Sequence, residues 1–274
     1  MNPAIWKRAL SECRLQLGIS AALLILFGWL FVWLMSLFQA GAWASLLNLL
    51  PNSMQPILGV PLAALATPAG QISVLYVHLV TMLVAIGWAI GQGSDVVSGE
   101  IARGTMEHLA ALPIRRATLV AVPSAVSALG AVVLALSVWL GSLLGLLTVH
   151  FHAKVSIWQF LPAVLNLAAM TFCLTGLTTL FSACGRDRWQ TIKLGGGLYL
   201  ASLVLKMTAR LWPAADWLRW TSFLSAYEPQ QLVLMPGDRW QWLLGYNATL
   251  VGVGLLALLA ATAIFSYRDL PVAR

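Results

Sequence analysis

The sequence predicts an all-helical integral membrane protein: six transmembrane helices, an amphipathic helix ahead of the first, and a short charged helical knob between the second and third. Three observations predict it. Apolar residues make up 60% of the chain and charged residues only 9%, at a mean hydropathy of +0.84. A soluble chain of this length would need far more charge to cover its surface. Apolar runs of roughly twenty residues or more recur along the chain, the length that crosses a bilayer core. Finally, the net charge of +7 is spread over short loops and forms no basic stripe interleaved with stacking aromatics. That pattern points to membrane orientation and excludes a nucleic-acid partner.

Residues 1–17 read as an amphipathic helix. Asn2 can cap it and Pro3 suits its first turn. Ile5, Trp6, Ala9, Leu10, Cys13 and Leu17 recur at three-to-four spacing, with Lys7, Arg8, Ser11, Glu12 and Arg14 on the other face. Such a helix lies in the plane of the cytoplasmic leaflet, its basic residues against anionic lipid. The first span, about 19–38, follows without a charge. Lys7 and Arg8 ahead of an apolar run ending at Ala42-Trp43-Ala44 also fit a cleavable signal. The run is longer than a signal core, however, so the segment is expected to be retained. Residues 40–70 are apolar but broken by Pro51, Pro56, Pro61 and Pro68, which leaves no room for a span. One or two short helices on or dipping into the outer leaflet are expected there.

The second span covers about 71–91. After it comes Ser94 to Arg116, the longest charge-bearing stretch between apolar ones, with Asp95, Glu100, Arg103, Glu107, Arg115 and Arg116. Its start continues the preceding helix and Gly104 breaks it. Thr105 then caps a second short helix, Met106 to Leu112, with Glu107 in the first turn where the helix dipole favours an anion. Pro113 ends that helix. A bent, proline-closed pair of short helices between two spans suits docking to another protein.

The third span, about 119–149 with Pro123 in its first turns, would reach about 46 Å and so project into the cytoplasm. An outer loop, His150 to Phe160, carries Trp158 as an interfacial anchor. The fourth span, 161–184, ends in a basic turn with Arg186, Asp187, Arg188, Trp189 and Lys193. The fifth, 194–212, opens on Gly195, Gly196 and Gly197. An outer segment, Pro213 to Gln241, holds Trp217, Trp220, Trp240 and (just beyond it) Trp242 as an aromatic belt. The sixth span, 243–267, leaves Arg268, Asp269 and Arg274 beyond it. Eleven of the 16 cations (Lys7, Arg8, Arg14, Arg103, Arg115, Arg116, Arg186, Arg188, Lys193, Arg268 and Arg274) then fall on one side. The positive-inside rule places that side, both termini and the knob in the cytoplasm.

Chemistry is sparse. The chain has no G-x-x-x-x-G-K-[ST] phosphate loop and no H-E-x-x-H pair, so neither nucleotide hydrolysis nor a zinc site is expected. His78, His108, His150 and His152 are scattered, and the last two read as a solvated loop ahead of a metal pair. Glu100 and Glu107 are parted by Gly104 and read as docking or ion-pairing groups ahead of an acid–base pair. Cys13, Cys173 and Cys184 are an odd set suited to apolar packing. The costly residues are those inside spans: His78, Asn166, Lys206 and Asn247, a central lysine costing about 2.5–3.5 kcal/mol. Lys206 and Arg210, one turn apart, either snorkel to the outer headgroups or line an outer path that attracts an anionic or zwitterionic substrate. Gly87 and Gly91, and Ser137, Gly141 and Gly145, permit close helix contact within the bundle.

The run G-E-I-A-R-G-T-M-E-H-L-A-A-L-P-I-R-R resembles the E, G-T, E-x-L, P-x-x-R signature of ABC-2-type transporter permeases, at Glu100, Gly104, Thr105, Glu107, Leu109, Pro113 and Arg116. His108 stands where many relatives carry an aliphatic residue. The C-terminal F-S-Y-R-D-L-P is similar to the family's closing F-x-x-R-D. The resemblance implies that the knob is a coupling helix seated in a groove of a separate ABC ATPase. Its coupling residues would be Glu100, Gly104, Thr105, Met106, Glu107, His108, Leu109, Pro113 and Arg116. It also implies two ATPase copies carrying ATP and Mg, no cofactor on this chain, and a second permease copy or similar paralogue meeting it mainly through the second and fifth spans. Lys206, Arg210, His78 and Asn166 are candidates for the substrate path through a bacterial cytoplasmic (inner) membrane. Export is the family's usual direction, and drug, lipid, haem, ion and glycan all remain open as cargo. The alternatives are an intramembrane lipid-modifying enzyme, which would call for paired carboxylates or a Ser/His pair at membrane depth, and an accessory membrane anchor.

Overall fold

In a computed structural model, residues 3–38, 40–49, 51, 54–111, 113, 115–149, 155–235 and 239–267 are described; all regular structure among them is helical, with no strand. The first element, α1 (Pro3–Leu37), is one uninterrupted helix. The amphipathic stretch expected at 1–17 is therefore not a separate interfacial helix but the first turns of α1. Gly18 alone stands between it and the span, and an isolated glycine costs a helix only about 1 kcal/mol. The apolar face of these turns is also engaged: Cys13 is buried, and Trp6, Ala9 and Leu17 pack against the bundle core.

The proline-rich segment folds into four short helices where one or two were expected: α2 (Ala40–Asn48), α3 (Gln55–Leu58), α4 (Leu62–Leu65) and α5 (Pro68–Ser73). Prolines set the restarts, since Pro56 and Pro68 occupy first turns and Pro61 the cap of α4. A 3-10 turn, Val74–Val77, leads to α6 (Leu79–Ser94), then a π-turn, Asp95–Gly99, and α7 (Glu100–Ala102). The second span is thus longer than 71–91, a helical run over Pro68–Ala102.

Beyond Gly104 stands α8 (Met106–Ala110), shorter than expected; Leu112 lies outside the described residues. Next come α9 (Arg116–Thr148), a 3-10 turn Ile157–Phe160 and α10 (Leu161–Cys184), close to the expected third and fourth spans. The fifth helix, α11 (Arg188–Leu211), starts well before residue 194 because the Asp187 carboxylate accepts the Trp189 N–H at 3.0 Å as its cap. Arg188 and Lys193, expected in a turn, therefore lie within it. The segment that follows α11 forms 3-10 turns at Pro213–Trp220 and Phe223–Ala226 and the short α12 (Pro229–Leu234), before α13 (Arg239–Tyr267).

Among the described residues, five helical runs are long and apolar enough to cross a membrane: Pro3–Leu37, Pro68–Ala102, Arg116–Thr148, Ile157–Cys184 and Trp240–Tyr267. α11 has the length, but its glycines and basic residues keep it outside that set. The most buried run contains α10, which packs against α6, α9, α11 and α13. α1 lies along α9 through small residues: a Cβ built on Gly28 would meet the Gly141 Cα at 3.1 Å, and one on Gly145 would collide with Val32. Leu26, Leu83, Leu129, Leu255 and Leu259 are all exposed on the outside of the bundle. An apolar exterior of that kind suits lipid and not water.

Candidate functional site

Chemistry-bearing side chains gather at the two ends of the bundle. At the first, Gly104 (φ +71°) ends α7: its N–H reaches Ile101 O at 3.0 Å and the Thr105 N–H reaches Glu100 O at 3.1 Å. This pair of bonds is a Schellman motif, which needs a residue in the left-handed region and so favours glycine. Thr105 stands at the cap of α8 as expected, yet its hydroxyl does not cap it; it donates to the Glu100 carboxylate instead.

Glu100 is buried, 7% exposed, because three donors converge on it. Arg8 of α1 reaches it at 2.9 and 3.0 Å, Arg103 at 2.8 Å, and Thr105 closes the set. The network extends outward, with Arg8 on Glu12 at 2.7 Å, Arg103 on Asp95 at 2.6 Å and Arg188 on Asp95 at 3.4 Å. Asp95 holds the Arg103 guanidinium pKa above its ordinary value. Alternating signs thus lash α1, the π-turn, α7 and the start of α11 together.

α8 is pinned by Met106, 3% exposed, in a cluster with Val96, Val97, Leu119 and Phe265; Leu109 packs at its edge. Glu107, His108, Pro113 and Arg116 face outward, as does Gly104. The residues expected to couple therefore divide. Glu100 and Met106 are anchors, Thr105 and Leu109 are half-buried, and the exposed face belongs to the other five.

The opposite end is organised by Glu228, which the sequence reading overlooked. Its carboxylate pairs with Lys206 at 3.1 Å and with Arg210 at very short range. The Lys206 ammonium also donates to Tyr227 O at 2.6 Å, and Arg210 donates to Ile57 O at 2.6 Å. Lys206 is 8% exposed, so the expectation that it snorkels to the headgroups fails: a buried counter-ion makes the excursion unnecessary. Asn166, fully buried, fixes this loop. Its Nδ2 donates to Ala226 O at 3.0 Å and Asn247 Oδ1 at 2.9 Å, while its Oδ1 accepts the Glu228 N–H at 2.9 Å. Gly59 (φ +71°) lies against the Arg210 guanidinium, where any Cβ would collide, and Gln231 donates to Gly59 O at 3.0 Å. A cleft of about 1170 Å³ opens beside Lys206, Arg210 and Glu228, between α11 and α13.

His78 is not part of this group. It caps α6, its Nδ1 accepting the Val80 N–H at 3.2 Å, and its ring packs on Phe27 and Phe31 at 4.9 and 5.4 Å. His150 and His152 lie outside the described residues. One signal could have found Glu228. Between residues 194 and 243 the only carboxylates are Asp216, Glu228 and Asp238, so a lysine and an arginine in the fifth helix had few counter-ions available.

Apolar helices of membrane-crossing length, with ion clusters confined to the two ends, define an integral membrane protein. Residues 19–269 match the model of the ABC-2 family transporter protein. The chain belongs to that family and is accordingly a membrane transport subunit, the permease of an ABC transporter. A search of curated proteins finds no match.

Proposed function

We propose that this permease spans the membrane six times, α11 being the remaining span, and exports its cargo using ATP hydrolysed by a separate ABC ATPase that docks on α8. The observation that carries the reading is the mounting of α8. The Schellman turn at Gly104 holds it off the end of the second span, Met106 pins its inner face, and Glu107 and His108 stand exposed. A push on that face reaches the second span through Glu100, and reaches α1 and α11 through Arg8 and Asp95. Two permease copies and two ATPases form the working unit. ATP and Mg sit on the ATPase, and both permease termini lie in the cytoplasm of a bacterial cell. Asn166, Lys206 and Arg210 belong to the outer path, and His78 serves as a helix cap beside α1.

The test is co-purification. The permease should carry an ABC ATPase whose hydrolysis depends on it. Glu107→Arg should lower that stimulated hydrolysis about tenfold while the permease stays folded, since a reversed charge at a docking face opposes its partner directly. Deletion of 106–110 should release the ATPase altogether. Retention of full stimulation in both variants would remove α8 as the docking element. The accessory-anchor reading would leave transport unchanged in both.

A further inference from the structure

The cleft between α11 and α13 carries an excess of positive charge. Its described lining includes Lys206, Arg210 and Arg219 against Asp216 and Glu228. Asp216 answers Arg219 at 3.5 Å, and among the described residues Glu228 alone serves both Lys206 and Arg210. One carboxylate shared by two cations leaves a positive charge uncompensated beside a buried ammonium. That is unfavourable at membrane depth and favours entry of an anion.

The same cleft is amphipathic along its length. Trp220, Trp242 and Arg219 rim its charged end, and Leu177, Leu198 and Val253 line its other end. Leu198 lies about 12 Å along α11 from Lys206, and Val253 about 16 Å along α13 from Trp242, at the helical rise per residue. Both helices flank α10, the turn Phe223–Ala226 packs against each of them, and the cleft between them is not enclosed. A charged mouth at the aromatic belt with an apolar slot leading toward the membrane centre has the polarity of a lipid in its leaflet.

We propose that this cleft binds an anionic phospholipid-type amphiphile, its phosphodiester beside Lys206 and Arg219 and an acyl chain along Leu177, Leu198 and Val253. The proposal deepens the outer-path reading by naming its ligand class, and it does not depend on the ATPase.

The test uses the full chain in nanodiscs of phosphatidylcholine with a trace of phosphatidylglycerol bearing a diazirine on its acyl chain. After illumination, adducts should map to the cleft faces of α11 and α13. Unlabelled phosphatidylglycerol should compete them away; phosphatidylcholine and soluble glycerol phosphate should not. Lys206→Gln, which neutralises the excess, should lower labelling about tenfold, and Glu228→Gln, which increases it, should raise labelling. A merely structural role for the pair would lower both. Equal competition by the two unlabelled lipids, competition by glycerol phosphate, loss in both variants, or cross-links showing a second copy filling the slot would each overturn the site. Absence of selective labelling alongside intact ATPase co-purification would remove the lipid site and leave the transporter reading standing.

Discussion

A single methyl group distinguishes the two kinds of glycine in this bundle. At Gly141 a Cβ would lie 2.6 Å from Ile25 O and 3.0 Å from the Gly28 Cα, both backbone atoms that can yield only by moving α1 off α9. Gly141→Ala should therefore lower stability by about 1–3 kcal/mol, the usual cost of overpacking. Gly87 has nothing within 4 Å of its would-be Cβ. Gly87→Ala should leave stability unchanged or raise it by about 0.5–1 kcal/mol through helix propensity. Thermal unfolding of the two variants in detergent checks the contrast, and equal midpoints would mean that α1 and α9 do not meet through these residues. The spacing of Ser137, Gly141 and Gly145 announced close packing. Their partners on α1, Gly28 against Gly141 and Val32 against Gly145, could not be read because helix neighbours are chosen by the assembled bundle. Glu228 was hidden for a related reason. Lys206 and Arg210 are recognisable as costly from their place in an apolar run, but their counter-ion lies across a loop whose path local pattern does not fix.

The same division holds for whole elements. The helices α9 and α10 were readable because their apolar length alone dictates a helix. The π-turn Asp95–Gly99 was not, since nothing in D-V-V-S-G distinguishes it from the α-helix it interrupts. What supports it is remote. The Ser182 hydroxyl of α10 accepts the N–H groups of Val97 at 3.2 Å and Ser98 at 2.8 Å and donates to Ser94 O at 3.1 Å. Ser98 Oγ in turn meets Thr191 Oγ1 of α11 at 3.0 Å. Ser94, Val97, Ser98, Ser182 and Thr191 are all buried, so removing the central hydroxyl takes an acceptor from two buried N–H groups. Ser182→Ala should cost about 1–3 kcal/mol and accelerate amide exchange at residues 97 and 98 ahead of the middle of α10. Because this turn lies between α8 and the body of the second span, the variant should also weaken ATPase stimulation without weakening ATPase binding. Unaltered exchange at 97 and 98 would show that the turn holds without Ser182.

At the scale of the molecule, charge is sorted by end, and that sorting has a direction. Arg8, Arg103 and Arg188 meet in one ion network, while Lys206 and Arg210 meet around Glu228 in another, with Arg219 on the same cleft. Contact between residues so distant in sequence shows that α1, α7 and α11 present their basic ends together, as the loop charges alone had implied. In the proposed orientation, which follows the positive-inside rule, the Glu100 end is the cytoplasmic one and lies on the same side as the proposed ATPase. Two exposed positions separate the alternatives. Cys184 is exposed whereas Cys13 and Cys173 are buried, so Cys184→Ser supplies a quiet background. On it, His108→Cys places a thiol on α8, and Trp217→Cys places one at a site 63% exposed between α11 and α13. An impermeant maleimide should label the Trp217→Cys protein in intact cells and the His108→Cys protein only after permeabilisation. The reverse pattern would turn the permease over and put α8 where no ATP is found, so the docking role would fall with the orientation. The fit of one amphiphile to the cleft at Lys206 would survive, because it depends on the charge and shape of the slot and on neither face of the membrane.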